Sequence, residues 1–225
     1  MGLAGALPGH EWHVSAPDAD ARPDPEGTRL SAVPRSEGID AVAAAARRVS
    51  QAACGAVGGE DELGELSRRL HALADELEEL SAPLERRMVD MWRGEGMPRH
   101  DPATGPENPI APPLVLHGLP DGSVRGEVTL GVQYQGPPGL AHGGVSALLL
   151  DHGLGVANGW AGHSGRTAHL ELDYRRGVPL YTPLLLTARQ ETVDGRKIHA
   201  VGRLCTVDGE VCVEARGLFV APRPS

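Results

Sequence analysis

The spacing of apolar residues along the chain changes near residue 114. Between residues 39 and 93 they recur with the period of a helix, and after residue 114 most of them alternate with the period of a β-strand. One helical segment carries a short heptad stripe of leucines. Its members are Leu63, Leu66, Leu70, Leu73, Leu77 and Leu80. Such a stripe fits either a dimerisation or docking helix, or an amphipathic helix laid on the domain or on another helix. We favour the second interpretation.

Three segments precede the strands. Residues 1–38 are rich in Pro, Gly, Asp and Arg and have neither period, which predicts a disordered tail. Residues 39–93 read as a helical extension, with an Ala-rich helix over 39–56, a second helix capped by Asp61, and a third apolar stretch up to its end. Residues 94–113 contain Gly and Pro throughout, which predicts a linker without regular structure that runs extended over a surface.

Residues 114–222 read as two strands, one helix over 145–160 opened by Gly143-Gly144, and four further strands. The predicted strands cover residues 114–116, 123–131, 167–175, 184–193, 198–207 and 211–220. The last three are joined through Asp194-Gly195 and Asp208-Gly209, the dipeptide most typical of a β-hairpin. This order predicts an α+β domain in which one antiparallel sheet covers one helix that is apolar nearly all round.

The Asp208-Gly209 turn makes a prediction about register. A two-residue loop there would place Cys205 opposite Cys212. Adjacent thiols could form a redox pair, but we interpret them as small packing residues of a protein kept in a reducing compartment.

Composition narrows the possible partners. The formal net charge of −9 gives no electrostatic reason to bind nucleic acid or an anionic membrane. Signal-peptide features and apolar runs of membrane-spanning length are not found, so a cytoplasmic location is expected. The histidines and the three cysteines show no metal-ligand spacing, so we expect neither a metal nor a cofactor.

The apolar helix holds the candidate chemistry. Asp151 follows three leucines near its middle, and an ionised carboxylate buried there would have a raised pKa, as suits a base or nucleophile. The helix start at Gly143-Gly144 offers unpaired N–H groups, and the Gly144 N–H is a candidate oxyanion donor. Asp151 lies nine residues after His142, roughly 13 Å along the axis, so one chain is not expected to bring both ends to one carbonyl.

The segment Gly139-Leu140-Ala141-His142-Gly143-Gly144-Val145, followed by Asp151 and by Arg166-Thr167 at the next strand, resembles the PaaI-like acyl-CoA thioesterases of the hotdog fold. The resemblance covers about residues 110–222. It implies a homodimer or dimer of dimers whose active sites lie between subunits, with an acyl-CoA thioester as substrate. Asp151 would then be general base or nucleophile, Gly144 the oxyanion donor, His142 a positioning residue, and Thr167 a residue that orients the attacking water or polarises Asp151.

Each assignment has a structural alternative. Asp151 could be a hydrogen-bonded structural acid, His142 a helix cap, and Thr167 an ordinary strand residue. Gly143, Ser146 and Asn158 are candidate substrate-binding residues. Ser146 could instead pack in the core, since the serine-hydrolase elbow G-x-S-x-G is absent around it. Asn158 could instead bond its own backbone. His152 points about 100° away from Asp151 around the helix, and we interpret it as structural.

Two rival functions stay open on the sequence. A hotdog hydratase or dehydratase would need an acid and a histidine together, which Asp151-His152 allows. A non-catalytic acyl-CoA sensor would use the N-terminal helices as a docking surface, but it has no need of a buried acid. The length or aromaticity of the acyl group, the choice between an anhydride and direct water attack, and the choice between dimer and tetramer are not determined by these residues.

Overall fold

The strands predicted from residue 114 onward form a single antiparallel sheet in the computed structural model, which describes residues 27–83, 99–112 and 114–223. The sheet has seven strands in the order β1-β2-β3-β5-β6-β7-β4. Their bounds are β1 Thr28–Arg29, β2 Val115–Gly118, β3 Val124–Thr129, β4 Arg166–Tyr174, β5 Pro183–Asp194, β6 Lys197–Thr206 and β7 Val211–Val220. Over the described ranges, β4 therefore lies at one edge of the sheet and pairs with β7 alone.

Helix α3, Gly143–Trp160, covers one face of this sheet and packs mainly on β5 and β6. Leu149, Leu150 and Leu154 are completely buried between helix and sheet. The remaining core is supplied mostly by alternate strand residues, as in β3, where Val124 and Val128 point inward. This α+β arrangement is the predicted hotdog fold. Within the described part of the chain, no helix is both long and apolar enough to cross a membrane.

The opposite side of α3 departs from the sequence prediction of a helix buried all round. Val145, Leu148 and Val156 are only partly buried in the single protomer. The hydrophobic composition of the helix therefore exceeds what its own sheet can cover.

The N-terminal segments are partly ordered on the sheet. β1 pairs with β2, which makes the predicted disordered tail wrong for residues 27–38 and adds a strand to the domain predicted to begin at 114. Residues 1–26 lie outside the described part. Helix α1 spans Ile39–Ala53, and α2 spans Glu60–Glu79. The α2 cap is Gly59, whose N–H donates to Glu62, instead of the predicted Asp61. The predicted third apolar stretch falls within 84–98, also outside the described residues.

The linker has no helix or strand over 99–112, as predicted, but it does not simply run over a surface. Ala103 is completely buried and Ala111 nearly so. The Arg99 guanidinium contacts the buried Asp40 carboxylate of α1 at 2.5 Å and also pairs with Glu107. Burial works against ionisation of Asp40, but the hydrogen bond and charge of Arg99 outweigh it and lower its pKa. The linker thus ties α1 to the domain.

The predicted pairing of Cys205 with Cys212 is wrong. Leu204 pairs with Val213 but Cys205 pairs with Val211, so Cys212 is the extra residue of a β-bulge. The Cys212 carbonyl accepts the backbone N–H groups of Arg175 and Arg176 instead. Both thiols are buried and free, in agreement with the packing role, and burial raises the pKa of each.

Candidate active site

Asp151 and Thr167 meet where α3 passes the start of β4. The Thr167 Oγ1 hydroxyl donates a hydrogen bond of 2.9 Å to Asp151 Oδ1. Asp151 is half-buried rather than fully buried, because β4 is the edge strand and β4 side chains on this side are largely exposed. Among the described residues, the carboxylate therefore accepts one side-chain hydrogen bond and keeps an accessible side. That geometry suits a group that must meet a second reactant.

The start of α3 is capped by His142. The Gly144 N–H donates to His142 Nδ1 at 2.9 Å, and the Val145 N–H donates to the His142 carbonyl. The cap interpretation of His142 is thus realised in this conformation. It also means that the Gly144 N–H, the candidate oxyanion donor, already has an acceptor. A substrate oxyanion would have to share that N–H with the imidazole or displace it. The Gly143 N–H precedes the first intrahelical bond at the same end.

A pocket of about 380 Å³ opens beside this helix start. Its lining is Pro137, Leu140, Ala141, Gly143, Ser146, Tyr174, Arg176, Gly177 and Val178. Two of the predicted substrate-binding residues, Gly143 and Ser146, therefore lie on one cavity. Ser146 is completely buried, and within the described ranges its Oγ has no hydrogen-bond partner.

Tyr174 is a pocket residue that the sequence reasoning missed. Its hydroxyl donates to the Gly143 carbonyl at 2.9 Å, and a Cβ added at Gly143 would lie 3.3 Å from the Tyr174 ring. Along β4, Tyr174 alternates in step with the partly buried Leu170 and Leu172, but its side chain is 53% exposed at the strand end. Local sequence patterns do not reveal this role of Tyr174, because it depends on the end of β4 lying against the start of α3.

Asn158 lies at the other end of α3, away from the pocket lining. Its amide is buried, and among the described residues neither Nδ2 nor Oδ1 has a hydrogen-bond partner. The structure does not bring Asn158 together with Gly143 and Ser146, and among the described residues the alternative, a bond from its side chain to its own backbone, is not formed either.

His152 is turned away from Asp151 and toward the linker. Its Nδ1 lies 3.3 Å from Asp101 Oδ2, and its Nε2 lies 3.3 Å from Thr104 Oγ1. Burial opposes ionisation of Asp101, but the hydrogen bond and charge of His152, helped by the N–H groups of Ala103 and Thr104, lower its pKa. His152 is therefore a structural residue, as the helix geometry indicated. Over the same described ranges no group of three or more potential ligands could hold a metal ion.

Comparison with known proteins agrees with this architecture. The sequence profile of the thioesterase superfamily matches residues 138–213, the segment that contains both ends of the candidate site. A second profile, described as the N-terminal helical domain of hypothetical protein RHA1_ro05818, matches residues 30–86. A solved thioesterase superfamily protein, RHA08564, is 53% identical with a TM-score of 0.80, over 88% of this chain and 97% of that one. The chain belongs to the thioesterase superfamily.

Curated relatives match a shorter stretch. Acyl-coenzyme A thioesterase THEM4 of Bos taurus is 35% identical over 95 residues, which is 42% of this chain and 39% of the relative. The Xenopus laevis protein of the same name is 30% identical over 91 residues, 40% of this chain and 41% of the relative. The chain thus spans about two fifths of the length of these relatives. The resemblance noted in the sequence is confirmed at the level of the superfamily.

Proposed function

We propose that the protein hydrolyses an acyl-CoA thioester to the free acid and coenzyme A. The observation that carries the proposal is the Thr167–Asp151 hydrogen bond at an accessible edge of α3, on the same helix whose start opens the pocket. Relatives named acyl-coenzyme A thioesterases support the choice of substrate.

Asp151 is the group that acts on the thioester. As general base it removes a proton from water, whose oxygen attacks the carbonyl carbon; the C–S bond then breaks and the proton passes to the departing thiolate. As nucleophile its carboxylate oxygen attacks the carbonyl carbon and the C–S bond breaks to release the thiolate, which leaves an anhydride that water later cleaves to the free acid and the regenerated carboxylate. Thr167 holds one carboxylate oxygen in either route and leaves the other for the reaction. Helix N–H groups at Gly143 and Gly144 stabilise the oxyanion, once the His142 ring shares or releases the Gly144 N–H.

The reaction centre is assembled from two copies of the chain. The pocket lies at the helix start, and Asp151 lies more than two turns further along the same helix. The partly exposed apolar face of α3 and the open edge of β4 are the surfaces a second copy would cover. A homodimer, alone or as a dimer of dimers, would place the helix start of one protomer against Asp151 of the other.

The decisive assay follows thiol release from short, long and aryl acyl-CoAs. Asp151→Asn should lose at least ~100-fold in kcat, the usual cost of removing an acid–base group. The matched control is Asp208→Asn, the same change in the exposed turn between β6 and β7, where Asn-Gly also suits a hairpin. Equal rates for Asp151→Asn and the control would refute the proposed role.

Sharing of the site is tested by mixing inactive chains. Gly144→Val would place a branched side chain at the helix start, and Asp151→Asn would remove the carboxylate. If the two groups come from different protomers, random dimers of the two variants recover about a quarter of the wild-type rate, because half of them carry one intact site. No recovery after demonstrated subunit exchange would contradict a shared site.

The structure does not favour a hydratase. That chemistry needs a histidine beside the acid, and His152 is held by Asp101 and Thr104 on the linker side. A purely sensory role predicts binding without thiol release, so the same panel of thioesters distinguishes it.

A further inference from the structure

Helix α2 presents an apolar face that the described part of its own protomer leaves open. None of the residues from Glu60 to Glu79 is buried. The leucine stripe accounts for this face, with exposures of 40% at Leu63, 47% at Leu66, 45% at Leu70, 50% at Leu73 and 84% at Leu80. The expectation that this helix lies on the domain or on another helix is therefore not met within the described part of the chain. A row of exposed leucines along three heptads indicates a surface that a binding partner covers.

We propose that α2 pairs antiparallel with α2 of a second copy of this chain. The leucine spacings run 3, 4, 3, 4, 3, and this series reads the same in both directions. An antiparallel pair centred between His71 and Ala72 therefore brings every leucine of the stripe opposite another. Leu63 faces Leu80 of the second copy, Leu66 faces Leu77, and Leu70 faces Leu73. The inference concerns an interface outside the candidate active site and does not depend on the proposed reaction.

Charge selects this direction and register. With the leucines at the a and d positions, Glu62, Arg69 and Glu76 occupy the g positions that flank the seam. In the centred antiparallel pair, Arg69 of each copy faces Glu76 of the other, which forms two symmetric ion pairs. A shift by one heptad would bring Arg69 against Arg69 in one direction and Glu76 against Glu76 in the other, and would also leave two leucines of each copy unmatched.

A parallel pair lacks this complementarity. Its flanking contacts join g to e positions, and the e positions are Ser67, Ala74 and Ser81. None of these carries a charge, so Arg69 and Glu76 would have no opposite partner. The outward positions of α2 are acidic toward both ends, so the pair also carries some repulsion in either direction. The antiparallel and parallel pairs therefore differ in the charge pairing at the flanking positions.

Disulfide trapping in the full-length protein tests the geometry. In a background with the exposed Cys54 replaced by Ser, one chain carries Ser67→Cys and the other Ala74→Cys. These e positions adjoin each other across an antiparallel seam but not across a parallel one. We expect the mixture to form a 67–74 interchain disulfide, well above either chain alone. A mixture that cross-links no better than its components would overturn the proposal.

Charge reversal supplies the matched controls. Arg69→Glu should slow the trapping about tenfold, because two attractive pairs become repulsive, and adding Glu76→Arg to the same chain should restore it. Leu70→Lys with Leu73→Lys should abolish trapping, whereas His71→Lys with Ala72→Lys, at positions that point away from the seam, should not. The stripe could instead be covered by residues 84–98 of the same chain. In that case Leu70→Lys with Leu73→Lys would lower thermal stability, and the mixture of Ser67→Cys and Ala74→Cys chains without these lysines would form no cross-link. That result would also refute pairing between copies.

Discussion

Replacing Thr167 by Val removes the hydrogen bond that β4 makes to the candidate catalytic carboxylate. Valine keeps the branched shape and the strand preference of threonine but removes the hydroxyl that donates to Asp151 Oδ1 at 2.9 Å. The carboxylate keeps its charge and its place on α3, so the change tests positioning and not the presence of the base.

The size of the effect follows from the setting of the bond. A hydrogen bond to a charged group contributes about 1.5–3 kcal/mol, and solvent screening lowers that figure where both partners are accessible. Thr167 is exposed and Asp151 half-buried in the protomer. We therefore expect a loss of about 1–2 kcal/mol of transition-state stabilisation, or ~5–30-fold in kcat.

Steady-state thiol release at saturating acyl-CoA measures this loss. Thr167→Ser keeps a hydroxyl and should stay within about twofold of the wild type, which separates the hydrogen bond from side-chain packing. In an Asp151→Asn background the valine substitution should have little further effect, because the group it positions is gone. The reasoning fails if the Thr167→Val variant is as active as the wild type. It also fails if Thr167→Val lowers kcat by the same factor in the Asp151→Asn background as in the wild type.

Three further outcomes are expected. Tyr174→Phe removes the hydrogen bond from the Tyr174 hydroxyl to the Gly143 carbonyl, and in thiol-release assays it should raise KM or lower kcat by about fivefold. The free energy of unfolding from denaturant titration should stay within about 1 kcal/mol of the wild type. Gly118→Ala would place a methyl 2.5 Å from the Trp160 ring, so it should destabilise the fold by ~1–3 kcal/mol and lower Tm in calorimetry. The pKa of Asp101 in the folded state lies below its ordinary value of 3.8, so the pairing of Asp101 with His152 stabilises the fold above pH 3.8 and is lost as the pH falls through the folded-state pKa. Asp101→Asn should therefore lower the free energy of unfolding at pH 7. It should also make that free energy less dependent on pH in the acid range.

Local sequence patterns predicted most of the fold. Alternation in β3 and the Asp-Gly turns predicted strands whose ends differ from the observed ones by a few residues. They succeeded because a half-buried strand must alternate and a tight hairpin needs residues that tolerate positive φ, as Gly195 and Gly209 show. Both conditions are satisfied within ten or so residues, so a single sequence can reveal them.

Features that depend on distant segments were missed. The bulge at Cys212 shifts the register by one residue, and its carbonyl is held by Arg175 and Arg176, more than thirty positions earlier. β1 exists only because Gly118 and His117 offer an edge for Thr28 and Arg29. Composition alone made that segment look like a tail, since its pairing partner lies about ninety residues away.

Asp151 and His152 show how adjacent residues of one helix acquire separate tasks. Successive side chains diverge by about 100°, so one faces β4 and the other faces the linker. The linker provides Asp101 and Thr104 as partners for His152, whereas β4 provides only the Thr167 hydroxyl for Asp151 and leaves it accessible. The imidazole is therefore fixed by its neighbours while the carboxylate keeps an open side. That asymmetry, and not the dipeptide itself, is what favours the proposed hydrolysis at Asp151 over a reaction that would use both groups together.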